Sequence, residues 1–472
     1  MTFDLDKTLD DSNINEPETR KFLSALQANI LKGHGRDHVA LLFLEIKDVE
    51  KARTFLRNYK VTDSATQLQE TKRFKESGDP GGVVRLVFIS HAGLVKFGRA
   101  APFKQKDGTP IDEFFEKGMA ADTEVLDDQT TDSWQAALKN PVDVLLMLAH
   151  DDLDDLSRIT LRKVEALGDE ASGYKVLFVQ EGRAYFNKAG EGIEHFGYVD
   201  GRSQPLMIDS DIKREKGSKT KLVYDPATNL KQFMFDDPLA PEEGLASLFV
   251  FRKLEQNVAG FKEAEDVMQD KLIPQPAEDE IAGAMVVGRF ESGVPVTFDP
   301  PRPPADPVEN DFNYDDDTDG TRCPFQAHIR KTNPRGSSPG GEEFDKAVQM
   351  ARRGITYGLR MQVPKTAEFV DKPNDGVGLL FMSYQASIKD QFHFMQEQWA
   401  NNRKFPKIGP ADPFVGIDPV IGQILKADAE VAETDHHWPS SMPNIQFNFR
   451  GFVHLKGGEY FYTPSPQALK KL

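Results

Sequence analysis

The chain has 472 residues, of which 39% are hydrophobic and 28% are charged, a composition typical of a folded globular protein. Its 58 basic and 75 acidic residues give a net charge of −17, so there is no general excess of positive charge to neutralise the phosphates of a nucleic acid or an anionic membrane. The single cysteine excludes an intramolecular disulfide.

The N-terminal segment, residues 1–6, is acidic and lacks the basic and apolar regions of a secretory leader. No apolar run approaches the ~18 residues that span a bilayer. Together with the lone cysteine, which fits a reducing compartment, these features lead us to expect a cytoplasmic protein without a membrane segment.

The first half of the chain alternates strand and helix patterns. Continuous apolar runs predict strands, and apolar positions on one helical stripe predict helices. The pattern predicts strands at 38–47, 83–89 and 142–148, helices at 49–59, 92–97 and 153–161, and a hairpin of 175–179 with 183–186. This β-α-β, β-α-β order is typical of a ferredoxin-like sheet with helices on one face.

The second half repeats the theme after a charged, turn-rich stretch at 209–231. The pattern predicts a strand beginning at 248–251, a helix at 258–268, a strand at 378–385, a helix at 388–399 and a closing strand at 453–462, with proline-rich, irregular chain at 272–308. We therefore expect an α+β fold of two ferredoxin-like domains with antiparallel sheets, residues 1–215 and 216–472.

The densest polar chemistry lies in the stretch Cys323–Arg335, which reads C-P-F-Q-A-H-I-R-K-T-N-P-R. His328 stands between two apolar residues and is followed by cationic side chains. Because imidazole can ligate haem iron and guanidinium can hold a propionate, the stretch suits an apolar, anionic, metal-bearing ligand such as haem. A hydrogen-bonded core histidine is the alternative, and Cys323 is a rival ligand. The missing C-x-x-C-H motif excludes covalent c-type attachment.

Three further stretches accompany this one. Gly197–Gly201 reads G-Y-V-D-G, which alone is also explained by a turn with an Asx hydrogen bond. Arg352–Gly358 reads R-R-G-I-T-Y-G, and Gly378–Phe381 reads G-L-L-F. In this order, with C-P-F-x-A-H-I-R-K-x-N-P-R between the first and second, the four stretches resemble the dye-decolourising peroxidase family. The resemblance runs from about residue 29 to residue 462, and Thr356 departs from it where many relatives carry proline.

The resemblance implies a haem b protein with a dimeric α+β barrel-like fold, in which the C-terminal domain holds most of the haem. His328 would be the axial iron ligand, and Asp418 would accept its imidazole N–H. Asp200 would be the general base and acid for peroxide cleavage. Arg352 would stabilise the charge on the leaving hydroxide, with Arg353 as the alternative for that role.

The resemblance also assigns residues to the cofactor's edge and face. Arg330 would bind a haem propionate, with a plain ion pair as the alternative. Leu379 and Phe381 would face the pocket above the haem, with core packing as the alternative. Trp399 is a candidate relay for electrons from bulky donors, against a purely structural role.

The implied activity is that of a haem peroxidase, which uses H2O2 to oxidise dyes and phenolic or other one-electron donors through Compound I. A haem carrier without catalysis on the same fold is one rival, and a haem-free oligomerisation module is another. The sequence is compatible with both a monomer and a homo-oligomer.

Two metal-site hypotheses also arise from the sequence. Residues 315–320 mimic the start of a calcium loop, but Gln326 replaces its final glutamate. The stretch 435–438, D-H-H-W, could hold a transition metal.

Overall fold

The computed structural model describes residues 4–103, 110–272, 280–298, 308–406, 415–423, 437–438, 445–446 and 448–472. The strands are β1 (His38–Ile46), β2 (Val84–Ser90), β3 (Val144–His150), β4 (Tyr174–Arg183), β5 (Tyr185–Phe186), β6 (Gly192–Ile193), β7 (Phe235–Asp236), β8 (Leu245–Gln256), β9 (Ala351–Arg352), β10 (Ile355–Tyr357), β11 (Gly378–Gln385), β12 (His437–Trp438), β13 (Ile445–Gln446) and β14 (Val453–Thr463). The α-helices are α1 (Pro17–Ser24), α2 (Val49–Asn58), α3 (Ser64–Ser77), α4 (His91–Lys96), α5 (Glu113–Lys117), α6 (Leu153–Gly168), α7 (Asp209–Lys216), α8 (Val258–Leu272), α9 (Ile281–Val287), α10 (His328–Thr332), α11 (Gly341–Val348) and α12 (Pro466–Lys471). Two π-helical segments, Ile388–His393 and Met395–Ala400, follow β11.

One antiparallel sheet runs through both halves of the chain, in the order β10-β11-β8-β14-β2-β3-β1-β4. The strands β2-β3-β1-β4 come from the first half, and their order is that of a ferredoxin-like unit. The strands β10-β11-β8-β14 repeat that order in the second half. The predicted fold class is therefore confirmed. The division after residue 215 separates β1–β6 from β7–β14, but the two groups share this sheet.

The two units meet in two places. In the middle of the sheet, β14 pairs with β2 through Phe461 opposite Ser90 and Tyr462 opposite Ile89. Between the two edge strands, the Thr356 hydroxyl in β10 donates to the Arg183 carbonyl in β4. These contacts curl the sheet toward a barrel, which protects strand edges that would otherwise be exposed.

Aromatic side chains from both units fill the space that the sheet encloses. Phe88 of β2 stacks on Phe249 of β8 with ring centroids 4.1 Å apart. Phe43 of β1 lies 5.1 Å from Phe251 of β8. β1 and β3 are almost entirely buried, which explains why their sequences are continuous apolar runs instead of alternating ones.

Several predicted elements differ from the structure. The hairpin of 175–179 with 183–186 is wrong, because β4 is one strand whose residues 174–183 pair with β1. Helices α3, α9 and α11 were not predicted, and α9 lies within the stretch expected to be irregular. Among the described residues, no helix is both long and apolar enough to cross a bilayer.

Candidate active site

A deep cavity lies against the second unit of the sheet, where β8, β11 and β14 each contribute side chains to its wall. The loop that joins β6 to α7 covers it, and α10 forms another part of the wall. The volume of the cavity is about 260 Å³. The cavity brings together Asp200, His328, Arg352, Leu379 and Phe381, which are far apart in sequence.

His328 begins α10 and lines the cavity, with 22% of its side chain exposed. Its Nδ1 lies 2.8 Å from Oδ2 of Asp418, a carboxylate that is fully buried. A carboxylate accepts hydrogen bonds, so Nδ1 carries the proton and Nε2 keeps its lone pair. The histidine is therefore held in the tautomer that can ligate a metal.

Backbone groups hold the Asp418 carboxylate from the other side. Its Oδ1 accepts the N–H groups of Val420 at 2.8 Å and Ile421 at 3.0 Å. Burial would raise the pKa of Asp418, but the charge and hydrogen bond of His328 and these N–H groups outweigh burial and lower the pKa below its ordinary value. The carboxylate is thus ionised where the imidazole needs an acceptor.

Asp200 lies on the loop after β6 and reaches the cavity. Its N–H donates to the Gly192 carbonyl at 3.0 Å, which ties the loop to β6. Its Oδ1 accepts the N–H of Gly201 at 2.7 Å. Gly201 has a φ of +80°, a conformation that glycine adopts readily, so the chain can turn sharply beside the acid. Asp200 therefore presents an exposed carboxylate to the cavity.

The two adjacent arginines are used differently. Arg353 donates from Nε to the Asn29 carbonyl at 2.8 Å and from Nη2 to the Ile30 carbonyl at 2.9 Å, so its guanidinium fastens the N-terminal segment. Arg352 donates from Nη2 to the carbonyl of Arg202 at 2.6 Å. Both side chains line the cavity, but this geometry favours Arg352 as the cation available to a ligand.

The apolar part of the wall comes from neighbouring strands. Leu379 and Phe381 of β11 both line the cavity, whereas Leu380 between them is fully buried on the other face. Phe381 is paired across the sheet with Arg252 of β8, which lines the same cavity. The expected placement of Leu379 and Phe381 at a pocket matches where these side chains lie.

Arg330 does not line the cavity, contrary to the expectation of a propionate ligand. Only 1% of its surface is exposed, and its Nη1 donates to Oδ2 of Asp317 at 2.9 Å and to the Cys323 carbonyl at 2.6 Å. The guanidinium also lies over the rings of Tyr314 and Phe325, at 4.5 and 4.3 Å. The hydrogen bonds of its Nη1 and Nη2 hold the loop that precedes α10.

A cluster of three other arginines lines the cavity instead: Arg202, Arg289 and Arg335. Arg289 and Arg335 both donate to the Ser203 hydroxyl, at 2.8 and 2.7 Å. Burial, together with the charges of Arg335 and Arg202, lowers the pKa of Arg289 to about 9. The Nε of Arg202 is buried and has no hydrogen-bond partner among the described residues. Such a crowd of cations suits an anionic ligand.

Arg335 closes the H-I-R-K-x-N-P-R motif, so its spacing from His328 was a signal for this role. Nothing in the local sequence marked Arg202 or Arg289, because they come from separate loops that only the fold brings together.

The remaining candidates lie away from the cavity wall. Cys323 is fully buried and does not line the cavity, so its sulfur is not placed to bind a ligand there, and burial raises the pKa of its thiol to about 12. Trp399 is 2% exposed and stacks on Phe405 with ring centroids 5.2 Å apart.

The calcium-like loop uses its acidic groups internally. The Asp317 carboxylate accepts the N–H groups of Arg322 and Cys323, both at 2.9 Å, and no group of metal-binding side chains forms among the described residues. Asp435 and His436 of the second metal hypothesis lie outside the described residues.

Comparisons with known proteins agree with this geometry. Residues 25–178 match the family described as the DyP dimeric alpha+beta barrel domain. The chain is 40% identical over 464 residues to the multifunctional dye peroxidase DyP2 of Amycolatopsis sp., covering 96% of this chain and 97% of that protein. It is 30% identical to a dye-decolorizing peroxidase of Exidia glandulosa, covering 94% of this chain and 85% of that one.

Solved structures give the same result. The DyP2 structure from Amycolatopsis sp. superposes over 100% of both chains with a TM-score of 0.89 at 37% identity. A DyP-type peroxidase of Anabaena sp. superposes over 100% of this chain and 99% of that chain with a TM-score of 0.86 at 32% identity. The chain belongs to the dye-decolourising peroxidase family, and it is an enzyme of the peroxidase class.

Proposed function

We propose that the cavity binds one haem b per chain, and that Nε2 of His328 would ligate its iron. The observation that carries this proposal is the His328–Asp418 pair, in which Nδ1 is bonded to the carboxylate and Nε2 is the ring nitrogen left for a ligand in the cavity. An acceptor on the far ring nitrogen orients a ligating histidine and raises its basicity. Apolar walls from Leu379 and Phe381 suit a flat macrocycle.

We assign the propionates to the arginine cluster instead of Arg330. Arg335 and Arg289 already share Ser203 and Asn310 as partners, and Arg202 offers an Nε that no described residue bonds. Carboxylates would supply the negative charge that this part of the wall lacks, in charge-assisted hydrogen bonds. The unpaired Nε and the crowding of cations are the features that fit haem.

When bound, haem would supply the redox centre that takes electrons from a donor and passes them to peroxide. The chain's own contribution to H2O2 cleavage is proton transfer and charge stabilisation. Asp200 would take a proton from one peroxide oxygen and return it to the departing oxygen, which leaves as water. Arg352 would stabilise the negative charge that builds on the departing oxygen before that proton arrives.

A carboxylate base has a consequence for the working pH. Unperturbed aspartate titrates near ~4 and histidine near ~6.5, so a carboxylate base stays ionised in mild acid where an imidazole base would be protonated. We expect dye oxidation to be fastest at mildly acidic pH. A rate that peaks above neutrality and is lost below pH ~5 would count against Asp200 as the base.

The donors we propose are dyes and phenols. The relatives named above are dye peroxidases, and a related structure is a complex with 2,6-dimethoxyphenol. Bulky dyes would have to be oxidised from the protein surface, through redox-active side chains. Trp399 would serve as an internal relay, since its 2% exposure rules out direct contact with a dye.

The absorption spectrum of the purified, haem-loaded protein before and after H2O2 tests the proposal. A Soret band of a histidine-ligated haem that changes rapidly on mixing and recovers on addition of a phenol is the expected result. A haem carrier would show the band without the rapid change, and a colourless protein that takes up no haem would overturn the proposal.

We also propose a cytoplasmic location, which the lone buried Cys323 supports because a reducing compartment needs no disulfides. Fractionation of the host cells tests it.

A further inference from the structure

Lys331 is a lysine without contact to the cavity, and its side chain is completely buried. Its Nζ lies 2.8 Å from the Asn402 carbonyl, 2.6 Å from the Phe405 carbonyl and 2.8 Å from the Gly416 carbonyl. An ammonium group has three N–H donors, so all of them are used. A buried ammonium is stable only when its N–H groups are hydrogen-bonded, so these three bonds fix the position of the Lys331 side chain.

Two of the three carbonyls belong to the segment that ends at Phe405, and the third belongs to the segment that contains Asp418. Asn402 and Phe405 follow the second π-helical segment, and Gly416 precedes Asp418 by two residues. The N–H of Asp418 itself donates to the Ala400 carbonyl at 2.8 Å. The ammonium therefore joins the segment that ends at Phe405 to the segment that presents the carboxylate.

Lys331 and His328 stand three residues apart on the same short helix, α10. The helix thus carries both the imidazole and the ammonium that holds the imidazole's acceptor. Burial lowers the pKa of Lys331 to about 7, and the negative charge of the nearby Asp418 opposes that shift.

We infer that Lys331 is a positioning residue that sets the hydrogen bond between His328 and Asp418 by fixing the Asp418 loop to α10. This inference rests on the proposed function, because the role of the His328–Asp418 bond is to tune a histidine that ligates haem. A more strongly held acceptor gives the imidazole more anionic character and lowers the reduction potential of the iron.

The test substitutes Lys331→Met, which keeps an unbranched side chain and removes all three donors. Resonance Raman spectroscopy of the ferrous, haem-loaded protein measures the Fe–His stretching frequency, and spectroelectrochemistry measures the midpoint potential. We expect Lys331→Met to lower the frequency and raise the potential by at least half of the shifts produced by Asp418→Asn. A merely structural lysine would move neither quantity.

Lys32→Met is the matched control. The Lys32 ammonium is also largely buried and donates to both oxygens of Asp211, at 2.6 and 2.5 Å, but it lies outside α10 and the Asp418 loop. Its removal should leave the Fe–His frequency and the potential at the values of the unsubstituted protein. Equal shifts in the Lys32 and Lys331 variants would overturn the inference.

Gly416→Ala provides a second way to disturb the same anchor. Gly416 has a φ of +96°, which alanine adopts only with strain, so the carbonyl that accepts from Lys331 should be displaced. We expect shifts of the same sign as for Lys331→Met. Unchanged spectra in either haem-loaded variant would overturn the inference, as would loss of the fold in both. Failure of the unsubstituted protein to bind haem would instead overturn the proposed function.

Discussion

Two parts of the cavity wall differ in how fully the protein satisfies their polar groups. Behind His328, the buried Asp418 carboxylate accepts three hydrogen bonds and the Lys331 ammonium donates three. Around Asp200, the carboxylate accepts a hydrogen bond from its neighbour Gly201, and the Nε of Arg202 has no partner in the part of the chain that the structure describes. We call these parts the histidine side and the acid side.

The difference indicates which side has its polar groups hydrogen-bonded before a ligand binds. A group that is buried and fully bonded is held in one position, whereas unpaired donors and an exposed acid keep their capacity for a ligand. The histidine side is therefore built to hold one nitrogen donor in place, and the acid side is built to react.

His328→Ala breaks the histidine side at its centre and should have the largest effect. Loss of the proposed iron ligand should weaken haem binding by about 100-fold and alter the Soret band of any haem retained. Titration of the haem-free protein with haemin measures both. His393→Ala is the control, because His393 is buried beside Asp122 and not in the cavity wall. An unchanged spectrum in His328→Ala would contradict the assignment.

Asp200→Asn breaks the acid side while keeping its shape. Removing the proton acceptor should slow the reaction with H2O2 on the order of 10³-fold, while haem stays bound through His328. Stopped-flow absorbance after mixing with peroxide gives the rate. Exposed Asp225, away from the cavity, supplies the matched control Asp225→Asn. A reaction rate within tenfold of the original would remove Asp200 from the mechanism.

The variants Arg352→Gln and Arg353→Gln distinguish the roles of two adjacent cations. We expect Arg352→Gln to slow peroxide cleavage about 100-fold, because a cation aimed at developing charge is lost. Arg353→Gln should slow cleavage less and lower thermal stability more, because it releases the Asn29 and Ile30 carbonyls. Stopped-flow rates and melting temperatures of both variants decide the matter, and the reverse pattern would exchange the two roles.

Glu194→Gln sharpens the comparison through pH, because the acid side also contains the partly buried carboxyl group of Glu194. Glu194 accepts N–H groups from Phe196 and Tyr198, yet burial raises its pKa from 4.5 to about 7. The unfolded chain ionises this group at lower pH than the folded one, so its contribution to stability is full below pH 4.5 and is lost as pH rises through 7.

The size of that loss is on the order of 1–3 kcal/mol in the free energy of unfolding. Urea unfolding at pH 5 and pH 8 should show a smaller decrease for Glu194→Gln than for the unsubstituted protein. Glu50→Gln, at a side chain that is 75% exposed, is the control and should keep the full decrease. An identical decrease in both variants would show that Glu194 is not protonated near neutral pH.

Trp399→Phe should have the smallest effect and tests whether Trp399 carries electrons between a surface-bound dye and the cavity. Phenylalanine fills most of the same space beside Phe405 but is much harder to oxidise. We expect a few-fold slower oxidation of a bulky dye and an unchanged rate of reaction with H2O2. Equal slowing of both reactions, or of neither, would reject Trp399 as a relay.

The strands and site residues that depend on local sequence pattern could be predicted from the sequence. Apolar runs located β1, β2, β3 and β14 within a few residues, and the four family motifs led to His328, Asp200 and Arg352. The polar end of β4 was misread, because residues 180–183 look like a turn until β1 is present to pair with them.

What the sequence could not supply depends on contacts between distant segments. Arg330 lies two residues after His328, which suggested a cofactor ligand. Its side chain is instead buried against Asp317 and two aromatic rings. Arg202 and Arg289 are 87 residues apart (289 − 202), and Arg289 donates to the hydroxyl of Ser203, the residue that follows Arg202. The three carbonyls around Lys331 carry no sequence signal, since every residue has one.

The seam between β14 and β2 bears on the order in which the protein assembles. β14 is the last strand of the chain, yet it stands in the middle of the sheet, between β8 of its own unit and β2 of the other. During synthesis, the first unit can form before β14, which begins at Val453, has been made. Until then the edge of β2 that pairs with β14 has no partner strand. A polypeptide stopped just before that point would expose two open edges at once and be prone to self-association.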